Sequence, residues 1–278
     1  MAIEIDIRDW QTYYYQSSSK GNQPKFYRDG YWCKIDNYGN HEGLAEEIVS
    51  EFLKCVVNVN FVEYKSALLT YKDINSIETT MGCISRNMYG DMRYSFVSLR
   101  SLCRKEGVKQ NIVIQNSNIS TNILKTVGFI KEVTGLDTGN YFAQLAFLDS
   151  IILNEDRHIM NVGVCYDNIS KIYVQAPIFD NGSSLFCTGW TFRSNKTLQE
   201  NIERGLLTGR PFSKFHEKQV DAFLTLGFSP LMVSKSMVIS LLKTYKNDLY
   251  DEKYVRRALD VLGLRLSQEV GKAFVWVN

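Results

Sequence analysis

The apolar residues change rhythm partway along the chain, and this change limits the folds open to it. Through about residue 114 they fall in short runs rich in β-branched and aromatic side chains: FYRDGYWCKID from Phe26, NVNFVEYKSALLTY from Asn58 and GCISRNMY from Gly82. Such runs read as strands. One periodic helix interrupts them, His41 to Lys54, with Leu44, Ile48 and Phe52 recurring four apart. Met1 to Trp10 alternates Ile with Glu, Asp and Arg like an edge strand, and does not read as a signal peptide. From residue 117 the pattern is helical, with candidates at about 119–134, 139–153, 196–207, 214–226, 230–246 and 251–270. Asp137 or Thr138 suits the cap of the second, and Ser229 before Pro230 that of the fifth. The prediction is an α+β chain of two lobes: a small β-rich N-lobe over residues 1–90, and a larger, mainly helical C-lobe over 91–278, hinged near Met88 to Asp91.

Composition narrows the partners. A chain of 278 residues, 45% hydrophobic, can bury a large core. Its 32 basic and 30 acidic residues leave a net charge of +2, so no direct nucleic-acid partner is expected. The six cysteines, at 33, 55, 83, 103, 165 and 187, form no CxxC pair, and three histidines are too few to complete zinc sites around them. They read as buried, reduced thiols in a cytoplasmic protein. The longest apolar stretch, Tyr141 to Leu153, is too short to span a bilayer and contains Gln144 and Asp149, so it reads as a core helix.

The one strand pair of the C-terminal half carries the chemistry. Asn161 to Tyr166 and Lys171 to Phe179 read as a hairpin turning through Asp167 to Ser170. With Tyr166 opposite Lys171, antiparallel register brings Asp180 opposite roughly position 157, inside Asn154-Glu155-Asp156-Arg157-His158-Ile159-Met160-Asn161. Asn161 and Asp180 then offer hard oxygen ligands to Mg²⁺ shared with phosphate oxygens, leaving Asp156 to accept the proton of an attacking hydroxyl. In the N-terminal half, Lys34 can point an ammonium at ATP phosphates, steadied by a carboxylate from Glu46, Glu47 or Glu51 on the following helix. The Ser17 to Lys25 loop, SSSKGNQPK, can turn backbone N–H groups toward phosphate oxygens.

Gly21-Asn22-Gln23-Pro24-Lys25, Lys34, Glu46-Glu47, Asn154 to Asn161 and Ala176-Pro177-Ile178-Phe179-Asp180 occur in the order seen in HipA-type serine/threonine kinases. The chain resembles that family over most of residues 17–190. The resemblance implies a protein-kinase-like bilobal fold and a Mg²⁺- and ATP-dependent transfer to Ser/Thr hydroxyls of a protein substrate. It makes Asp156 the catalytic base and Asn161 and Asp180 the metal ligands. Around the nucleotide it places Ser18, Ser19, Gly21, Gln23, Lys25, Lys34 with Glu47 as its partner, and His158, which braces the catalytic loop rather than moving a proton. It further implies phosphorylation of a loop serine, Ser18 standing in the matching place, and leaves room for an antitoxin-like regulator. The chain departs from ordinary protein kinases in having no GxGxxG, HRD, DFG or APE motif. Two alternatives remain: a lipid or small-molecule kinase, since Asp156-Arg157-His158 with Asn161 also resembles phosphatidylinositol kinases, and a nucleotide-binding pseudokinase.

Overall fold

The computed structural model describes residues 3–13, 23–73, 76–88, 93–107, 118–189, 192–267 and 272–278. Its first sheet comprises β1 (Glu4–Asp6), β2 (Gln11–Tyr13), β3 (Lys25–Arg28), β4 (Tyr31–Ile35), β5 (Tyr64–Lys72) and β6 (Ile77–Arg86). The strand order is β1-β5-β6-β4-β3-β2, with β1 parallel to β5 and the other pairs antiparallel. Alternation sorts the side chains. Phe26, Cys33, Ile35, Ala67 and Leu69 build a small core on one face with Ile7. Lys34, opposite Cys83 in the ladder, belongs to the other face, where Tyr64 and Cys83 pack with Val62.

Helix α1 (Glu42–Leu53) packs on β5 and β6. A Cβ added to Gly43 would lie 2.4 Å from the Gly82 carbonyl oxygen, so the absent side chain lets the helix touch the sheet. The Leu44–Ile48–Phe52 stripe is fully buried, but so are Ala45 and Val49, and Glu46 is almost so. The helix is enclosed on two sides rather than laid on one.

The remainder holds seven further helices among the described residues: α2 (Leu99–Lys105), α3 (Ile119–Thr134), α4 (Gly139–Ile152), α5 (Leu198–Gly205), α6 (His216–Thr225), α7 (Lys235–Thr244) and α8 (Glu252–Ser267). Apolar α4 runs through the main core, whose fully buried members include Phe147, Ile151 and Phe223. Asp137 rather than Thr138 serves its start, its carboxylate accepting from the Gly139 amide at 3.2 Å. No described helix is long and apolar enough to cross a membrane. All six cysteines are buried and free.

Two expectations need correction, the helix from 230 and the register of the hairpin. The predicted helix from 230 begins as a strand, β10 (Leu231–Ser234), parallel to β11 (Phe274–Val277), and α7 starts only at Lys235. Pairing with a strand about forty residues away outweighs the Ser-Pro start signal. The predicted hairpin exists as β8 (Gly163–Asp167) and β9 (Tyr173–Gln175), joined to a third strand, β7 (Tyr94–Ser98), but Tyr166 faces Tyr173 rather than Lys171. The Asp167 carboxylate accepts from the Ile169 amide at 2.9 Å and the Ser170 hydroxyl at 2.7 Å, which lengthens the turn. Beyond Gln175 the chain leaves β8 altogether. Ile178 instead exchanges backbone bonds with Asn60 and Val62, at 2.8 and 2.9 Å. The expected hinge lies, past Met88, outside the described residues.

Candidate active site

Helix α4 ends where Leu153 adopts φ +52°, and the chain turns into the Asn154–Asn161 loop. This loop is held by its own polar groups. The Asn154 side chain accepts from the Asp156 amide at 2.9 Å, and the Asn161 side-chain amide donates to the Asp156 carbonyl at 3.2 Å. Asn161 thus spends its N–H₂ on the loop, which leaves its carbonyl oxygen as the end suited to a cation.

Arg157 joins this loop to the other site segments. Its guanidinium is fully buried and pairs with Asp149 of α4 through two nitrogens, each at 3.0 Å. It also donates to the Phe179 carbonyl at 2.5 Å, the Asp180 carbonyl at 3.3 Å and the Asn181 side-chain oxygen at 2.6 Å. A buried Arg with its donors satisfied across three segments is costly to disturb. Asp180 therefore reaches the loop through Arg157, not through the hairpin register.

Lys34 on β4 donates to Glu46 at 2.8 Å and to Asp180 at 2.7 Å. Burial opposes its charge, but the Asp180 and Glu46 carboxylates outweigh that and hold its pKa well above the usual lysine value. Asp180, with φ +61°, is likewise held below the usual carboxylate range: burial raises its pKa, and Lys34 and Lys25 more than reverse this. The second oxygen of Glu46 accepts from the Asn181 amide at 2.9 Å, so one carboxylate ties α1 to both the lysine and the Asp180–Asn181 segment.

The expected partner Glu47 is thus corrected to Glu46. Glu47 faces β5 instead, accepting from the Ser66 amide at 3.2 Å and from Asn247 at 2.9 Å, while Lys65 stands 3.5 Å away. Placing the inward carboxylate beside the apolar stripe assumes one buried face, and α1 has two.

Asp156 lies between the His158 imidazole and the Arg210 guanidinium, with His158 Nε2 and Arg210 Nη1 each 3.8 Å from one of its oxygens. Burial raises its pKa, His158 and Arg210 pull it down, and Asp180 pushes it up. Lys25 stands opposite Lys34 in the ladder; burial lowers its pKa, and the Asp180 carboxylate works against that. Gln23 donates to the Ile35 carbonyl at 3.1 Å, so its amide ties the strand start to β4. Ser18, Ser19 and Gly21 lie outside the described residues. His158 braces the loop through its Nδ1, which accepts from the Met160 amide at 3.3 Å. The site thus brings together Asp156, His158, Asn161, Asp180, Lys34 and Lys25.

Sequence reasoning missed Arg157, Asp149, Arg210 and the choice of Glu46. One signal was available: an Asp within the apolar Tyr141–Leu153 run needs a buried cationic partner. Nothing local marked Arg210. Among the described residues no three His, Cys, Asp or Glu side chains cluster as a metal site. An Asn–Asp pair fits a cation completing its shell with phosphate oxygens and water, as Mg²⁺ does, and not a self-sufficient protein cage.

A β-rich sheet with an inward Lys, a helix supplying its carboxylate and a helical lobe carrying an Asp–Asn loop define a protein-kinase-like bilobal fold. The structure is similar to that of the Helicobacter pylori proinflammatory kinase CtkA, with a TM-score of 0.62 and 16% identity over 97% of this chain and 96% of that one. At this identity the fold is what the two share. A chain of the Shewanella oneidensis MR-1 HipA–HipB–operator DNA complex aligns with a TM-score of 0.47 and 13% identity, over 91% of this chain and 65% of that one. No protein-family model matches the sequence, and no curated protein does.

Proposed function

We propose that the protein is an ATP- and Mg²⁺-dependent kinase acting on Ser/Thr hydroxyls of a protein. The observation that carries this reading is the Lys34–Glu46–Asp180 ion network beside Asp156 and Asn161. Lys34 and Lys25 supply positive charge for a triphosphate, and Asn161 and Asp180 supply oxygen ligands for Mg²⁺. Mg²⁺, when bound, neutralises charge on the phosphate oxygens. Asp156 takes the proton from the acceptor hydroxyl, whose oxygen bonds to the γ-phosphorus as the bond to ADP breaks and ADP leaves with the electron pair.

Incubation of pure protein with γ-labelled ATP, Mg²⁺ and a cell extract tests the reading. Label on Ser or Thr of protein is expected. Label on lipid would move the protein to the lipid-kinase class, and none at all would make it a nucleotide-binding pseudokinase. The reading includes self-modification within Ser17 to Ser19, where a phosphate would add nearly two negative charges and weaken the binding of ATP. Peptide mass spectrometry should find it in wild type and not in Asp156→Asn; equal modification of both would remove self-regulation from the proposal.

A further inference from the structure

Among the described residues Arg210 makes one ion pair, with Asp156, and it is carried to that carboxylate by a closely built turn. Gly209 N–H donates to the Lys214 carbonyl at 2.9 Å, closing the loop between α5 and α6. A Cβ at Gly209 would lie 2.8 Å from the His216 backbone nitrogen, so the turn is tight enough to exclude a side chain. Phe212 is buried, its ring centroid 5.7 Å from Phe142 and 6.0 Å from Phe223, and its amide donates to the Gln219 side chain at 3.0 Å. The turn is therefore fixed on both sides of Arg210. The arginine's own side chain is 45% exposed, and its guanidinium stops 3.8 Å from Asp156 without a hydrogen bond to it.

Position decides what such a guanidinium can read. The phosphates are held from the sheet side, by Lys34 with Lys25 opposite it. In-line transfer brings the acceptor hydroxyl to the γ-phosphorus from the side away from ADP, past Asp156. Arg210 reaches Asp156 from the helical lobe, on the oxygen not facing His158. A planar fork of five donors with only one end near Asp156 keeps its other N–H groups for an incoming anion.

We propose that Arg210 binds an anionic group, carboxylate or phosphate, next to the acceptor hydroxyl, so that the preferred substrates are Ser/Thr segments flanked by negative charge. This rests on the kinase reading above. The transfer itself is unchanged: the hydroxyl proton goes to Asp156 and ADP leaves. The test uses the full-length protein with four serine peptides identical except for one neighbour of the serine: Ala, Lys, Glu or phosphoserine. For wild type, kcat/KM should favour Glu and phosphoserine over Ala by about two- to fivefold, the effect of one partly exposed ion pair, expressed mainly in KM. Arg210→Ala should abolish the preference and Arg210→Lys should retain part of it. Arg210→Glu should invert it toward the Lys peptide. A greater gain from phosphoserine than from Glu identifies phosphate as the anion read, and equal gains identify any carboxylate. Transfer with the same charge preference in wild type and all variants overturns the assignment of Arg210 and leaves the kinase reading standing. Absence of transfer to any peptide and to extract proteins overturns both.

Discussion

Burial sets the behaviour of individual charged residues here, and Asp156 shows it first. The pKa of its carboxylate is raised by desolvation and pulled back by His158 and Arg210, which leaves it above the usual aspartate value and suited to taking a proton. Asp156→Asn keeps shape and removes the proposed base. Steady-state kinetics should show kcat reduced by about 10² to 10⁴, with ATP affinity nearly unchanged; near wild-type turnover would reassign the base. Asp36 yields a pH prediction. Burial, then Glu42, push it up to about 7, although the Tyr250 hydroxyl donates to it at 2.8 Å and the Gly43 amide at 2.8 Å. The folded state thus retains a proton that the unfolded chain releases near pH 4, roughly its unperturbed value. That contribution is complete below this value and is lost as pH rises through about 7. Asp36→Asn cannot ionise, so its melting temperature relative to wild type should climb from pH 5 to pH 8. At about 2–4 °C per kcal/mol the change is measurable, and a flat difference would refute it. At this scale the convergence of Lys34, Asp156 and Asp180 was legible, because polar residues stand out within short apolar strand and loop segments. Glu46 over Glu47 was not legible, because the choice depends on what covers the second side of a helix.

Elements were legible where their ends are local. The helix expected at 119–134 is found at Ile119–Thr134, because the Asn118 side chain caps the Thr121 amide at 3.0 Å and Gly135 takes φ +77°. Strand β10 was not legible, since its partners β11 and Val56 are remote in sequence. The same remoteness hides what holds α1. The segment before and within the start of α8 grips it: Asn247 donates to Glu47 at 2.9 Å and to Ser66 at 3.1 Å, Tyr250 donates to Asp36, and His41 packs on Tyr254 with ring centroids 3.9 Å apart. Because α1 carries Glu46, this grip sets the Lys34 ion pair. Asn247→Ala and Tyr250→Phe each remove about 0.5–1.5 kcal/mol of hydrogen bonding, and kcat should fall about three- to tenfold with a small loss of stability. In a Glu46→Gln background the same changes should leave kcat unaltered. Additive losses in the double variants would mean that the segment supports only the fold.

At the scale of the whole molecule, the change of rhythm along the sequence disclosed a β-rich beginning and a helical remainder, but not how they meet. They meet through α1, whose Leu44, Ile48 and Phe52 join the main core, and through polar contacts between residues far apart in the chain, Lys34 to Asp180 across 146 positions and Asn181 to Glu46 across 135. No periodicity encodes such pairs. Under the proposed function they also set the electrostatics that a nucleotide would meet. Lys34 is already balanced by Glu46 and Asp180, so an incoming triphosphate meets carboxylates as well as lysines. Without a divalent cation it is repelled by Asp180. With Mg²⁺ shared between Asn161, Asp180 and the phosphates, the same carboxylate becomes attractive. ATP with Mg²⁺ at about 100 times its Kd should stabilise the fold by about 2.7 kcal/mol, or very roughly 5–10 °C in Tm. In EDTA the gain should be much smaller. Asp180→Asn removes both the ligand and the repulsion, so it should weaken the Mg²⁺·ATP shift and strengthen the metal-free one, drawing the two together. Thermal melts of both proteins in the two conditions decide the matter. Equal stabilisation with Mg²⁺ and with EDTA, in wild type and variant alike, would take the metal out of this site and leave Asp180 as a partner for Lys34 alone.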